Sequence, residues 1–313
     1  MRSPFPRRCA RALGCGTCLF IGVTSVASSL DAQASAAPAQ WHTVERALGR
    51  PGTMQPGGVV KFSFPRSDLA VTVAGVAVKP ALALGSWVAF KEIGGGHAMA
   101  MGDLVLTEEE VGAVVRALQA GGVEQTAIHN HVLMESPRVM YMHVAAHGDA
   151  TRIATAIRVA LGATHTPLGT PAAPTTPSAS DLDTARIAAA VGVAGTLNGT
   201  VYQISVPRRE RIMDGKVEIP PSMGVATAIN FQPTGGGKAA ITGDFVMRAS
   251  EVNAVIRALL GSGIEVTALH SHMLTEEPRL FFMHFWAHDD AVTLARGLRS
   301  ALDKMSVKLA APR

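Results

Sequence analysis

The sequence predicts an α+β fold in which a β-rich unit ending in βαββα occurs twice in tandem. Eight of the eleven histidines form two copies of one pattern, and the second copy begins at His270, 141 positions after His129. Within each copy, strand-like and helix-like hydrophobic periods alternate. Two copies are too few for a solenoid. We therefore expect two units, each a mostly antiparallel sheet with helices on one face, packed together as a pseudo-dimer.

Strands open each unit and return near its end. In the first unit, apolar runs bounded by turn residues predict early strands near 59–65, 69–78, 86–93 and 97–106. Two later strands, 123–131 and 138–146, carry the first set of histidines, and their counterparts 264–272 and 279–287 carry the second set. The histidines are therefore expected on neighbouring strands of each sheet.

A helix is predicted over 108–120, between the early and the late strands. Its apolar positions 111, 114, 115 and 118 have the spacing of one helical face. Thr107 and Glu110 have the spacing of a capping box in front of it. Asp149 and Asp290 are placed to cap the closing helix of each unit.

Composition divides the chain into four segments. Residues 1–34 are predicted to be a signal peptide, 41–162 the first α+β repeat, 163–180 a linker rich in Pro, Thr and Ala, and 181–305 the second repeat.

The predicted leader has the order of a secretory signal. Arginines precede an apolar run over 12–26, and the small residues Ala32-Gln33-Ala34 follow it. We expect a periplasmic or secreted protein without a transmembrane span in its mature form. Lipid anchoring at Cys15 or Cys18 is the less favoured alternative, because neither cysteine follows a complete apolar run.

Removal of the leader changes the charge and the chemistry of the chain. The leader holds four arginines and one aspartate, so the formal net charge of +4 becomes +1. A nearly neutral protein gives no electrostatic reason to expect a nucleic-acid partner. All three cysteines lie in the leader as well, so the exported protein would have neither disulfides nor thiolate metal ligands.

The histidine spacing predicts a metal site in each repeat. Residues i and i+2 of a strand face the same side, so His129 and His131 point together. If the hairpin pairs odd-numbered positions, His143 joins them. Three neutral imidazoles on adjacent strands are a common way to hold a divalent ion, with zinc as the first candidate. The second repeat offers the same set as His270, His272 and His284.

Other residues that recur in both copies are given roles around that ion. His147 and His288 lie too far along the strand to share one ion easily, so they are assigned to its second shell. Glu135 and Glu276 are the candidate catalytic bases beside a metal-bound water. The remaining recurring residues have less specific assignments: Arg138 and Arg279 are candidate ligand-binding residues, and the carboxylates of Asp103 and Asp244 belong either to the site or to ordinary turns.

Three functions follow from this pattern. The first is an exported metalloprotein with two equivalent histidine sites and a hydrolytic activity. The second is a non-enzymatic envelope module that binds an anionic ligand, and the third is a structural protein whose histidines form hydrogen-bond networks. The spacing H-x-H-x-x-x-E also matches the first cupin motif, but the glycine expected after the Glu is missing and helices flank the segment.

The segments TAIHNHVLMESPRVMYMHVAAHGDA and TALHSHMLTEEPRLFFMHFWAHDDA resemble the LppY/LpqO family of exported bacterial proteins. The resemblance covers nearly the whole mature chain. It implies an envelope location and a duplicated domain, and it implies no activity or catalytic residues. Some members of that family are lipid-anchored, whereas this chain has no convincing lipobox before Cys15 or Cys18.

Overall fold

The computed structural model describes residues 37–169 and 180–309. The predicted signal peptide and positions 170–179 of the predicted linker lie outside the described residues. Within the described ranges, no helix has the length and apolar character needed to cross a membrane.

The first half is built from nine strands and four helices, together with one short 3-10 helix at Ala39–Trp41. The strands are β1 (Thr53–Gln55), β2 (Val59–Pro65), β3 (Thr72–Val73), β4 (Val76–Ala77), β5 (Gly85–Gly94), β6 (His97–Thr107), β7 (Glu124–His129), β8 (Glu135–Ser136) and β9 (Val139–Asp149). The helices are α1 (His42–Leu48), α2 (Pro80–Ala83), α3 (Glu108–Ala120) and α4 (Ala150–Gly162).

The second half repeats this order with a 3-10 helix, Pro221–Met223, in place of α2. Its strands are β10 (Thr196–Asn198), β11 (Val201–Pro207), β12 (Ile212–Asp214), β13 (Val217–Ile219), β14 (Ala226–Gly235), β15 (Lys238–Met247), β16 (Glu265–His270), β17 (Glu276–Glu277) and β18 (Phe281–Asp290). Its helices are α5 (Thr184–Val191), α6 (Val252–Leu260) and α7 (Ala291–Leu302).

The two halves have the same sheet topology. The first large sheet has the order β1-β2-β5-β6-β9-β7 and the second has β10-β11-β14-β15-β18-β16. The strands of both sheets pair antiparallel. The predicted α+β fold and tandem duplication are thereby confirmed.

Each sheet packs helices on one face and the other half on its opposite face. In β9, Met142 and Val144 belong to one core with Leu118 of α3 and Ile157 of α4. The alternate residue Tyr141 belongs to another core, together with Trp286 of the second half. A second shared core joins Met99 and Ala89 of the first half to Val246 and Phe282 of the second half. The alternation of a strand thus divides its side chains between the helix layer and the junction of the halves.

The predicted helix ends are confirmed where local side chains cap them. Thr107 and Glu110 form the capping box of α3. The side chain of Asp149 accepts a hydrogen bond from the amide of Arg152, and that of Asp290 accepts one from Thr293. These caps fix where each helix leaves the sheet.

The strand predicted over 69–78 is instead a small hairpin of β3 and β4. Ala74 and Gly75 both adopt positive φ angles, of 47° and 82°, so the chain reverses there. The end of the hairpin contacts the sheet of the other half through the side chain of Gln232. The amide of Lys79 donates to Oε1 of Gln232 at 2.8 Å, and Nε2 of Gln232 donates to the carbonyl of Ala77 at 2.7 Å. These contacts attach the first half to the second.

Candidate metal centre

Strand register places three histidines of each half together. In the first half Ala127 pairs with His143, and His129 pairs with Tyr141. In the second half the equivalent pairs are Ala268 with His284 and His270 with Phe282. The predicted pairing of odd-numbered positions is therefore confirmed for the first hairpin. A register shift between Gln125 and Ala127 sets this pairing.

The six histidines form one cluster at the junction of the halves. The ring centroids of His129 and His270 lie 3.6 Å apart. Those of His131 and His284 lie 3.7 Å apart, and those of His143 and His272 lie 3.6 Å apart. Each close pair joins one half to the other. The sequence pattern predicts two equivalent sites, whereas the fold brings both sets to a single place.

Two threonines hold the histidine loops in a reciprocal arrangement. Oγ1 of Thr126 donates to the carbonyl oxygen of His272 at 2.6 Å, and Oγ1 of Thr267 donates to that of His131 at 2.5 Å. These threonines were not among the predicted site residues, although they are separated by the same 141 positions as the histidines. Their shared spacing was the available signal.

The imidazole nitrogens are arranged as metal ligands would be. Ring nitrogens within 4.8 Å of one another define two groups, and His129 belongs to both. One group is His129, His270, His272 and His284, and the other is His129, His131 and His143. All six Nε2 atoms are buried and have no hydrogen-bond partner among the described residues. Buried polar atoms are normally satisfied, so six convergent exceptions need a common explanation. The cluster could therefore hold a metal ion.

Backbone carbonyls set the tautomer of three of these rings. Nδ1 of His284 lies 2.8 Å from the carbonyl oxygen of Gly243. Nδ1 of His129 and of His270 lie 3.2 and 3.5 Å from the carbonyls of Asn130 and Ser271. A carbonyl can only accept, so each neutral ring carries its proton on Nδ1 and leaves the Nε2 lone pair free. That is the tautomer a metal ligand needs.

The cluster disfavours protonated imidazole. Burial, reinforced by the neighbouring His270, lowers the pKa of His129 to about 3, and burial lowers that of His270 to about 4. The pKa values of the other four rings are lowered well below their usual range, chiefly by burial and further by the surrounding histidines. All six rings are therefore neutral at pH 7, as metal binding requires.

Two aspartates lie beside the cluster, Asp103 buried and Asp244 partly buried. Oδ1 of Asp244 is 3.2 Å from Nδ1 of His284, and Oδ1 of Asp103 is 3.9 Å from Nε2 of His143. Burial raises the pKa of Asp103 to about 7 despite the nearby Lys61, and raises that of Asp244 well above its usual range. Of the two readings that the sequence leaves open for these carboxylates, the structure places both beside the histidines.

The candidate catalytic glutamates bind their own loops. Oε1 of Glu135 accepts from the amide of Val139 at 3.1 Å, and Oε1 of Glu276 accepts from that of Leu280 at 2.8 Å. No contact joins either carboxylate to one of the six rings within the part of the chain that the structure describes. Burial raises the pKa of Glu135 to about 7.

The candidate ligand-binding arginines differ between the halves. Arg279 donates to the carbonyls of Met273 and Leu274, at 3.0 and 2.7 Å, and to Glu276 at 3.2 Å. Arg138 is exposed and approaches Glu108 at 3.6 Å. Arg279 is therefore engaged by its own loop, whereas Arg138 has its guanidinium in solvent.

The two remaining histidines lie away from the cluster. Nε2 of His147 is 3.3 Å from the carboxylate of Asp214, and Nε2 of His288 is 2.9 Å from Oγ1 of Thr234. Both side chains are exposed. Their assignment to the second shell has no supporting contact among the described residues, because four residues along a strand separate each from the nearest clustered ring.

Comparison with solved structures gives only distant likenesses. The trimeric bacterial microcompartment shell protein PduB shares 13% identity and a TM-score of 0.19, over 79% of this chain and 87% of that one. The ethanolamine utilization protein EutL from Leptotrichia buccalis C-1013-b shares 7% and 0.17, over 68% and 82%. EtuB from Clostridium kluyveri shares 9% and 0.19, over 83% and 96%. These TM-scores are too low to support a conclusion about fold or function.

A search of curated proteins gives no significant match. A domain family does match, and it matches twice, at residues 42–163 and 185–304. Each match covers one half with its own three clustered histidines. The chain belongs to the family described as Domain of Unknown Function (DUF1259), and it contains two copies of that domain.

Proposed function

We propose that this chain is an exported envelope protein that binds a divalent transition-metal ion in the six-histidine cluster. The observation that carries the proposal is the convergence of six buried Nε2 atoms without a hydrogen-bond partner among the described residues. Leaving these buried atoms without a hydrogen bond would cost about 1–3 kcal/mol for each atom. Coordination to a metal ion would satisfy them together.

The donor set selects the class of metal. It consists of neutral imidazole nitrogens, which suit zinc, copper, nickel and other late first-row ions rather than calcium or magnesium. His129 belongs to both groups of ligands, and its neutral ring has one free lone pair, so it can ligate only one ion at a time and the two groups are not independent. The proposed site is therefore one composite centre with ligands from both halves, and zinc is the first candidate.

Asp244 is proposed as a positioning residue for that centre, whereas Asp103 lies beside Nε2 of His143, the atom that would bind the metal. A carboxylate behind a metal-binding imidazole fixes the ring and increases its basicity. Asp244 is the better placed of the two, at 3.2 Å from Nδ1 of His284.

Metal analysis of the purified mature protein tests the proposal. We expect bound metal in the wild type and its loss in the variant His129→Ala/His270→Ala, because these rings meet at the centre of the cluster. The matched control is His147→Ala/His288→Ala, which removes two exposed histidines and should retain the metal. A wild type that binds no metal after loading with zinc, copper or nickel would sink the proposal. Circular dichroism of each variant separates loss of ligands from loss of fold.

Export and the relation to the LppY/LpqO family rest on the sequence. The charged, apolar and small-residue order of positions 1–34 supports a cleaved leader. Mass spectrometry of the protein recovered from its native cell would give the processed N-terminus. We expect cleavage after Ala34. An intact N-terminus, or a lipid on Cys15 or Cys18, would contradict cleavage after Ala34.

Metal-assisted hydrolysis is the second candidate, and the raised pKa of Glu135 favours it. A carboxyl group with a pKa of about 7 can act as a general base near neutral pH. The burial of all six Nε2 atoms favours a closed site for binding over a site that admits substrate. A panel of ester and phosphoester substrates, assayed with the metal-loaded protein and with Glu135→Gln, decides between them. Turnover that the substitution abolishes would support hydrolysis.

A further inference from the structure

Two arginines lie together at the end of α1, on the helix side of the first half. The guanidinium of Arg158 lies beside Gly49. A Cβ atom added to Gly49 would be 3.8 Å from Cζ of Arg158. Arg50 is the next residue in the chain and is only 5% exposed. Among the described residues, neither arginine has a carboxylate within 4.0 Å. Two cations thus lie near the same turn of the chain, and neither has a carboxylate beside it among the described residues.

The contacts of Arg50 supply no opposite charge, although its guanidinium lies over the ring of Phe64, with Cζ 4.0 Å from the ring centroid. Its Nη1 donates to the carbonyl of Ser63, and its Nη2 donates to those of Pro167 and Gly169 at 3.2 and 3.1 Å. These acceptors are neutral. Nε of Arg50 and Nη1 of Arg158 are buried and have no acceptor among the described residues. Burial and the charge of Arg158 both lower the pKa of Arg50, and a buried charge normally has a partner of opposite sign.

The second half shows what the first half lacks. Arg299 occupies the position of Arg158, 141 residues later, and it also lies against a glycine that ends a helix, Gly192 at the end of α5. Its Nε is 2.8 Å from the carboxylate of Asp303. Gly162 stands where Asp303 would be in the first half. The duplicated arginine therefore has its own carboxylate in one half only.

A structural role accounts for one of the two cations. An arginine beside the C-terminal end of a helix interacts favourably with the helix dipole, and this explains Arg158 as it explains Arg299. Arg50 is held by three backbone carbonyls and the ring of Phe64, none of which carries an opposite charge. Residues 170–179, which follow Gly169 in the chain, contain no Asp or Glu that could supply a carboxylate.

We propose that Arg50 and Arg158 form a binding site for a small oxyanion, which takes the place that the Asp303 carboxylate occupies in the second half. Guanidinium groups bind carboxylate, phosphate and sulfate through paired hydrogen bonds. Nε of Arg50 and Nη1 of Arg158 are the donors that lack an acceptor among the described residues. The site lies on the helix layer and uses none of the histidines. It goes beyond the proposed metal binding and does not depend on it.

Anion titration of the full mature protein tests the site. The probes are inorganic phosphate, sulfate and acetate, with chloride at matched ionic strength as the reference, and the readouts are isothermal titration calorimetry and thermal unfolding. We expect at least one oxyanion to bind and to raise Tm above the chloride value. Acetate and phosphate distinguish a carboxylate ligand from a phosphate-type ligand.

One substitution rebuilds the second-half arrangement. Gly162→Asp places a carboxylate four residues after Arg158, and no atom lies within 4 Å of the new Cβ. We expect this variant and Arg158→Gln to bind the oxyanion at least about tenfold more weakly than the wild type, a change of about 1.4 kcal/mol. The control Arg299→Gln, in the second half, should bind it as the wild type does. An equal anion response in Gly162→Asp, Arg158→Gln and the wild type, or no response beyond that to chloride, would overturn the proposal.

Discussion

The same Glu-x-Pro-Arg loop is closed in the second half and open in the first. In the second half Glu276 is 2% exposed, and Arg279 ties that carboxylate to two carbonyls of the loop. In the first half Glu135 is partly exposed, and Arg138 turns outward to Glu108. Both loops keep two contacts: the amide four residues later donates to the glutamate, and the segment of the glutamate pairs with a strand of the small hairpin, β8 with β3 and β17 with β12.

This difference separates two reasons why residues recur in a duplicated chain. The glutamates keep a turn contact that both loops need, so their recurrence has an explanation within the loop. The six histidines have no such explanation, because the Nε2 atom of each is without a partner among the described residues. Recurrence is therefore evidence of a shared site for the histidines and of shared folding for the glutamates.

The largest expected effect concerns equivalent histidines in the two halves. His143→Ala and His284→Ala each remove one ring from the single cluster, so both should weaken metal binding by more than about 100-fold, since even the outer partners of a metal ligand contribute about 10- to 100-fold. Competition with a chromophoric chelator measures the affinity. If each variant lost one of two equivalents of metal and bound the remaining one with wild-type affinity, the protein would have two independent sites instead.

Acid should destabilise the metal-free protein. Unfolded histidines protonate near pH 6.5, whereas the folded state holds the pKa of His129 at about 3 and that of His270 at about 4. Below pH 6.5 the unfolded histidines bind more protons, so the contribution of the six histidines is complete above that pH and decreases as pH falls. The raised pKa values of Asp103, Asp244 and Glu135 have the opposite effect but involve only three groups. Each clustered histidine contributes up to about 1.4 kcal/mol per pH unit. Urea unfolding at pH 7, 6 and 5 measures the slope, and a constant stability across that range would contradict the neutral cluster.

The smallest effect compares the two loops directly. Glu276→Gln should lower the free energy of unfolding by about 1–2 kcal/mol, because it weakens charge-assisted bonds in a buried place. Glu135→Gln should leave it unchanged, or raise it by less than about 1 kcal/mol at pH 8. The pKa of Glu135 is raised to about 7, so its ionised form costs stability once the pH passes the range from 4.5 to 7. Equal losses in both variants would mean that the loops are not different in solution.

Local patterns in the sequence predict much of each unit. The capping box of Thr107 and Glu110 depends on residues three apart, and the pairing of the histidine strands depends on alternation. The hairpin at Ala74 and Gly75 was not predicted, because two residues of positive φ interrupt an otherwise strand-like run. The engagement of Arg279 by its loop was not predicted either, since its acceptors are backbone carbonyls that any residue could supply.

The sequence by itself determined the duplication and the strands that carry His129 and His143, with the condition that the register paired odd-numbered positions. The bulge between Gln125 and Ala127 met that condition, and His131 lies just beyond the end of β7. The duplication and the strands depend on spacing along the chain, because the periods of strands and helices are fixed by backbone geometry. Only the tertiary structure decided that the two sets form one cluster, with His129 against His270 and each loop held by a threonine of the other half. That outcome depends on how two apolar sheet faces pack, and the packing joins residues about 140 positions apart, beyond the reach of any local pattern.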